Sequence, residues 1–284
     1  MRNHVRIGDR LVGDGHSVYV IAEAGLNHGG DPDVATAMIA AASHAGADAI
    51  KFQTFNTDER FGDDEATKSL VRPAEFDRAQ FAQLAEVARR HRIQFVSTAF
   101  DLPSVGLLVD LGVPAIKIAS CDISNFDLLR RTASTGLPVL LSRGTADRGE
   151  IDTALAIVRA GRAPHVLLHC VSSYPLKDQD ANLGAIHSLR DTYDVPLGYS
   201  DHTAGMDVPL HAVYAGACVI EKHFTLDRDR RGIDWEISLN PRELADLVTR
   251  IRAAESVLGH GRIEPMSCEG DEVQYRRNFR TRGA

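Results

Sequence analysis

Val195-Pro196-Leu197-Gly198-Tyr199-Ser200-Asp201-His202-Thr203 and Ala217-Cys218-Val219-Ile220-Glu221-Lys222-His223-Phe224-Thr225 each pass from a short apolar run into polar residues that include a histidine. The apolar runs 195–197 and 217–220 have the composition of buried strands, and the segment between them, roughly 204–215, is long enough for a helix. Two parallel strands joined by a helix have their C-terminal ends on the same side. His202 and His223 then leave neighbouring strands together, and two imidazoles converging there can share one divalent ion. A competing reading has each histidine hydrogen-bonded in a packed loop. The matched positions of the pair favour the ion.

The same alternation recurs upstream. Apolar runs at 18–22, 47–52, 94–97, 115–119, 139–141 and 166–169 are each followed by a segment of helical period, making eight units in all. Eight such units predict a closed (β/α)8 TIM barrel of the α/β class, and 284 residues suit it, since about 250 are typical. An open doubly wound sheet would carry a glycine-rich phosphate turn after its first strand. Gly25-Leu26-Asn27-His28-Gly29-Gly30 lacks that register. Asp31-Pro32 and Asn240-Pro241-Arg242-Glu243 read as helix starts, the second with a glutamate at the capping-box position.

Residues 1–17 precede the barrel, and 5–14 read as a β-hairpin turning at Gly8-Asp9 and capping the barrel bottom. Residues 18–260 form the barrel proper, and 261–284 a tail ending in Arg276-Arg277-Asn278-Phe279-Arg280-Thr281-Arg282. The stretch 54–73 reads as a long polar connection at the functional end.

Composition narrows the function classes. With 44% hydrophobic and 25% charged residues the chain can bury a full core, and a net charge of −7 speaks against a nucleic-acid partner. No apolar stretch approaches membrane-spanning length, and the four cysteines show no CxxC spacing. A reduced, cytoplasmic protein without a membrane partner is expected.

Catalytic groups of such a barrel sit at strand C-termini. These are Glu23 and Asn27; Lys51 and Gln53; Ser97 and Thr98; Lys117, Ser120 and Asp122; Ser142 and Arg143; His169, Ser172 and Tyr174; Ser200, Asp201 and His202; Glu221, Lys222 and His223. Lys51 and Lys117 interrupt apolar strands, and a lysine inside a barrel needs an anion to offset its desolvation. A bound phosphate or carboxylate meets that need, as would a buried pair with Glu23 or Glu221. Glu23 and Asp122 are candidate bases.

Taken together, Ala22-Glu23-Ala24-Gly25-Leu26-Asn27-His28, Lys51-Phe52-Gln53-Thr54, Ser97-Thr98-Ala99-Phe100, Lys117-Ile118-Ala119-Ser120, Leu168-His169-Cys170 with Tyr174-Pro175, Ser200-Asp201-His202-Thr203 and Glu221-Lys222-His223-Phe224-Thr225 resemble the sialic acid synthase family, in order over residues 18–260. The resemblance implies a metal-dependent condensation of phosphoenolpyruvate with an aldehyde sugar, N-acetylmannosamine or a related acceptor, giving a 2-keto-3-deoxy sugar acid and phosphate. It implies that His202 and His223 hold a divalent metal, foremost Mn2+, with Mg2+, Co2+ or Zn2+ as alternatives. Lys51, Thr98, Lys117, Ser120 and Ser200 would hold phosphoenolpyruvate, while Glu23 and Asp234 contact the acceptor and Tyr174 lines the same pocket. A homodimer is expected.

The chain departs from the family pattern in three places. Cys121-Asp122 stands where Gly-Glu is usual, so the expected base is one methylene shorter. Ser142-Arg143-Gly144-Thr145 replaces Ser-Thr-Gly-Met, and Ser172 replaces an asparagine, with Arg143 a candidate substitute anion contact. Family members continue into a small antifreeze-like domain that reaches across the dimer, whereas this chain ends near the start of that linker. The expectation is a natural absence of that lid and an altered acceptor. Two other functions fit the same residues: a metal-dependent keto-acid aldolase or lyase, and a phosphoenolpyruvate-binding protein that has lost turnover.

Overall fold

Eight parallel strands close into a barrel in the computed structural model, which describes residues 4–229 and 233–276. The order is β3 (Tyr19–Gly25), α1 (Pro32–His44), β4 (Ala49–Thr54), α2 (Thr57–Phe61), α3 (Glu65–Val71), α4 (Arg78–Arg90), β5 (Gln94–Ala99), α5 (Leu102–Leu111), β6 (Ile116–Ile118), α6 (Phe126–Ala133), β7 (Val139–Ser142), α7 (Arg148–Ala160), β8 (His165–His169), α8 (Gly184–Thr192), β9 (Leu197–Asp201), α9 (Asp207–Tyr214), β10 (Val219–His223) and α10 (Pro241–Leu258), preceded by a hairpin of β1 (His4–Ile7) and β2 (Arg10–Gly13). The ring closes where β10 pairs in parallel with β3. Asp31 caps α1, and Asn240 with Glu243 forms a capping box on α10, as their sequences predict.

Strand alternation sorts side chains into two populations. Val20, Ala22, Ile50 and Phe52 join the large core beneath the helices. Tyr19, Ile21, Val96, Leu140, Val166 and Val219 form a second, inner cluster with Val5, Ile7 and Val12 of the hairpin. Gly198 belongs here because a Cβ would stand 2.2 Å from a Leu168 methyl. Asp48 fastens this end: it pairs with Arg10 of the hairpin at 2.5 Å and Arg252 of α10 at 2.9 Å, and accepts the Val20 N–H at 2.8 Å.

Several strands extend further than their apolar runs suggest. Strands β9 and β10 take in Ser200-Asp201 and Glu221-Lys222-His223, because polar residues continue the ladder where the barrel opens into its mouth. The stretch 54–73 is also more ordered than a plain connection, since it holds α2 and α3, capped by Asn56 and Asp64. Among the described residues all four cysteines are free thiols, and no helix is long and apolar enough to cross a membrane. Arg277, Arg280 and Arg282 of the tail lie outside the described residues.

Candidate active site

The inward positions at the strand C-termini surround a cavity of about 580 Å³. On its floor the Lys51 ammonium lies 2.7 Å from Glu23 Oε2 and 3.7 Å from Glu221 Oε1, and donates to Thr98 Oγ1 at 2.9 Å. Lys117 approaches the same Glu221 oxygen at 3.7 Å, and Ser200 donates to it at 2.9 Å. The lysines therefore do pair with Glu23 and Glu221, but at an open cavity rather than in a sealed core. Glu221 Oε2 and Ser142 Oγ are buried without hydrogen-bond partners.

Burial and charge act in opposite directions on these groups. Burial pushes the Glu23 carboxyl up to about 7, against the pull of Lys51. Glu221 is also penalised by burial, but Lys117 and Lys51 outweigh it and hold its pKa below the usual carboxylate value. Burial lowers the Lys117 pKa, whereas Glu221 and Glu23 keep that of Lys51 above the ordinary lysine value despite burial. The floor thus carries a firmly ionised carboxylate between two lysines, beside a second carboxyl able to exchange its proton near neutrality.

On one wall the His202 and His223 rings stand 5.6 Å apart, with Tyr174 packed on His202 at 4.2 Å. His202 Nδ1 faces the Val171 carbonyl at 2.8 Å, which favours a proton there and leaves the Nε2 lone pair free. His223 Nδ1 is buried without a hydrogen bond, 3.5 Å from Asp234 Oδ2. Burial lowers both imidazole pKa values and keeps the rings neutral, the state that ligates metals. Burial also raises the Asp234 carboxyl to about 6. Two neutral imidazoles, one with an unsatisfied buried nitrogen, fit a divalent ion that keeps open positions. Among the described residues no three His, Cys, Asp or Glu side chains form a closed metal cluster.

Of the residues singled out in the sequence, Glu23, Lys51, Gln53, Thr98, Lys117, Ser120, Ser142, Ser172, Tyr174, Ser200, His202, His223 and Asp234 all line this cavity. Asp122, Arg143 and Asn27 are not among its lining residues, nor are Ser97, His169, Asp201 and Lys222. Asp122 sits in the short turn after β6, where it accepts from Asn125 Nδ2 at 3.1 Å and from the Cys121 thiol at 3.5 Å; Cys121 takes the wall position. Arg143 donates to His169 Nδ1 at 2.8 Å, and His169 Nε2 reaches the Ala181 carbonyl at 2.9 Å, so this guanidinium braces the loops after β7 and β8. Asn27 donates to the Phe224 carbonyl at 3.0 Å and to Ser238 Oγ at 2.9 Å, binding the loop after β3 to the segment that carries Asp234.

Within the strand-end set, Ser97, Asp201 and Lys222 face away from the cavity. Ser97 bonds Thr54 at 2.7 Å, and Asp201 pairs with Lys222 at 2.5 Å with both side chains fully buried. Gly144 is the residue of the loop after β7 that the packing requires. A Cβ there would stand 2.1 Å from Ser120 Cβ and 2.7 Å from Ser172 Oγ, so only glycine lets this loop close on those two hydroxyls, which bond each other at 3.0 Å. Sequence reading missed Arg60 on α2, which lines the rim with Phe61 and Phe100. Its one signal was a cation set between Phe55 and Phe61.

The barrel and its polar mouth define a condensing synthase of the sialic acid type, and comparison with known proteins agrees. The NeuB family model matches residues 38–263, and the chain belongs to that family. It is accordingly an enzyme, a phosphoenolpyruvate-dependent carbon–carbon bond-forming synthase. An N,N'-diacetyllegionaminic acid synthase of Legionella pneumophila is 41% identical, over 90% of this chain and 78% of its own length. An N-acetylneuraminate-9-phosphate synthase of Mus musculus is 36% identical over 92% and 76%. The solved N-acetylneuraminic acid synthetase of Leptospira borgpetersenii superposes with a TM-score of 0.96 at 48% identity, covering 99% of each chain.

Proposed function

We propose that this enzyme condenses phosphoenolpyruvate with the aldehyde of an amino sugar to give a 2-keto-3-deoxy sugar acid and phosphate. The observation that carries the reading is the convergence of Lys51 and Lys117 on one floor, beside the neutral His202–His223 pair and the raised carboxyl of Glu23. The lysines, with Thr98, Ser120, Ser142 and Ser200, hold the phosphoenolpyruvate anion; Gln53, Tyr174, Ser172 and Asp234 border the acceptor. The relatives are named for different acids, so family membership leaves the acceptor open.

As C3 of phosphoenolpyruvate bonds to the aldehyde carbon, charge grows on the aldehyde oxygen and at C2. His202 and His223 would hold a divalent ion, foremost Mn2+, and when bound it would supply Lewis acidity toward the aldehyde oxygen. Glu23 accepts the proton of the water that adds to C2 and passes it to the alkoxide formed from the aldehyde, because its pKa of about 7 lets it hold either state; the C2 hydroxyl proton leaves with the phosphate as the ketone forms. Lys51 and Lys117 stabilise the phosphate as its bond to C2 breaks. The same reading makes the chain a cytoplasmic homodimer, on the strength of its family resemblance and free thiols.

Incubation with Mn2+, phosphoenolpyruvate and a panel of amino-sugar aldehydes should release phosphate only when an acceptor is present, with product masses equal to acceptor plus pyruvate. Pyruvate-dependent aldol turnover without phosphate release would instead identify an aldolase.

A further inference from the structure

We propose that Arg60 is a specificity residue that receives an anionic substituent, a phosphate or carboxylate, carried by the acceptor sugar away from its aldehyde. The inference rests on the condensing reaction proposed above and names the class of acceptor. Arg60 lines the cavity from α2, its guanidinium carbon 3.3 Å from the centre of the Phe100 ring and 4.9 Å from that of Phe61. One face is therefore covered by an aromatic plane, which leaves the in-plane N–H fork as the surface a ligand can meet.

The other cations of the lining already have carboxylates within ion-pair range: Lys51 has Glu23 at 2.7 Å, and Lys117 has Glu221 at 3.7 Å. Arg60 has none among the described residues. Its polar contact is a weak donation to Gln53 Oε1 at 3.4 Å, and Gln53 Nε2 in turn donates to Glu23 Oε1 at 3.3 Å. Arg60 is thus joined to Lys51 through Gln53 and Glu23, and we assign it a second anion distinct from phosphoenolpyruvate. Burial depresses its pKa, and Cys121, Asp122, Asp101 and Asp234, all outside ion-pair range, only partly offset it. A guanidinium fork seated against an aromatic wall is suited to a phosphate or carboxylate held by two parallel hydrogen bonds.

The test compares N-acetylmannosamine with N-acetylmannosamine 6-phosphate as acceptors for the Mn2+-loaded wild type, R60M and R60K, with phosphate release as the readout. The wild type should favour the phosphorylated sugar. R60M should lower kcat/KM for that sugar roughly 10- to 100-fold more than for the neutral one, the range expected for losing hydrogen bonds to a charged group. R60K should fall between them, and the KM for phosphoenolpyruvate should move less than that for the acceptor. Equal losses for both sugars in R60M, a wild-type preference for the neutral sugar, or a shift confined to phosphoenolpyruvate would overturn the assignment while leaving the condensing reaction intact. If neither sugar turns over, calorimetry of the phosphorylated sugar with phosphoenolpyruvate present decides: binding lost in R60M supports the subsite, and binding indifferent to Arg60 rejects it.

Discussion

Strands β9 and β10 carry two charged clusters back to back. On the inner face, Ser200, His202, Glu221 and His223 border the cavity with Lys117. On the outer face, Asp201 and Lys222, neighbours in the pairing register, form a fully buried ion pair whose ammonium also donates to the Thr203 carbonyl. Both clusters join a lysine to a carboxylate. The outer pair is sealed in the wall and closed by backbone, while the inner lysines, Lys51 held by Glu23 at 2.7 Å and both reaching Glu221 Oε1 at 3.7 Å, face an open cavity. A pair enclosed by the wall holds the ladder in register, and one that faces a cavity is available for a substrate.

The inner cluster is tested most severely by Lys117→Met, which should lower kcat/KM on the order of a thousandfold at nearly unchanged Tm. A large loss of Tm without a matching loss of turnover would place Lys117 with the structural pair. Conversely, Asp201→Ala strands the Lys222 charge in the wall and should cost about 3–5 kcal/mol in denaturant titrations. The double change Asp201→Leu with Lys222→Met should recover most of that loss, and a stable Asp201→Ala would break the contrast. His202→Ala should abolish retained Mn2+ in elemental analysis of the folded, desalted protein. Retention at the wild-type level would remove the pair from the metal reading.

A finer probe is pH. Burial raises Glu23 to about 7 from a reference of 4.5, so between those values the folded chain holds a proton that the unfolded chain has released. Stability from this group is therefore present below about 4.5 and is lost as pH rises toward 7. Glu23→Gln should flatten that slope and remove a kinetic limb near neutrality; an unchanged profile would assign the limb elsewhere. The smallest effect is expected of Asp122→Asn, within about twofold of wild type in turnover, because its carboxylate is engaged by Asn125 and Cys121 off the cavity lining.

The barrel was legible because each strand begins in an apolar run and each crossover has helical period. What escaped was facing. In Ser200-Asp201-His202 and Glu221-Lys222-His223 every residue is polar, so period-two alternation leaves no mark on composition, and Asp201 and Lys222 read like their inward neighbours. The turn that moves Asp122 out of the lining depends on the Ser120-to-Asp122 helical twist, which a strand-end rule does not contain. Arg60 escaped because a helix within the long second connection brings it back over the mouth.

The pairing of β3 with β10 sets His223 beside Glu23, although two hundred residues of chain lie between them. A ribosome delivers the carboxylate in the first barrel strand and the imidazole in the last, so no growing intermediate holds both. Chemistry begins only when the ring is shut, and recovery of Mn2+ binding during refolding would time that final step.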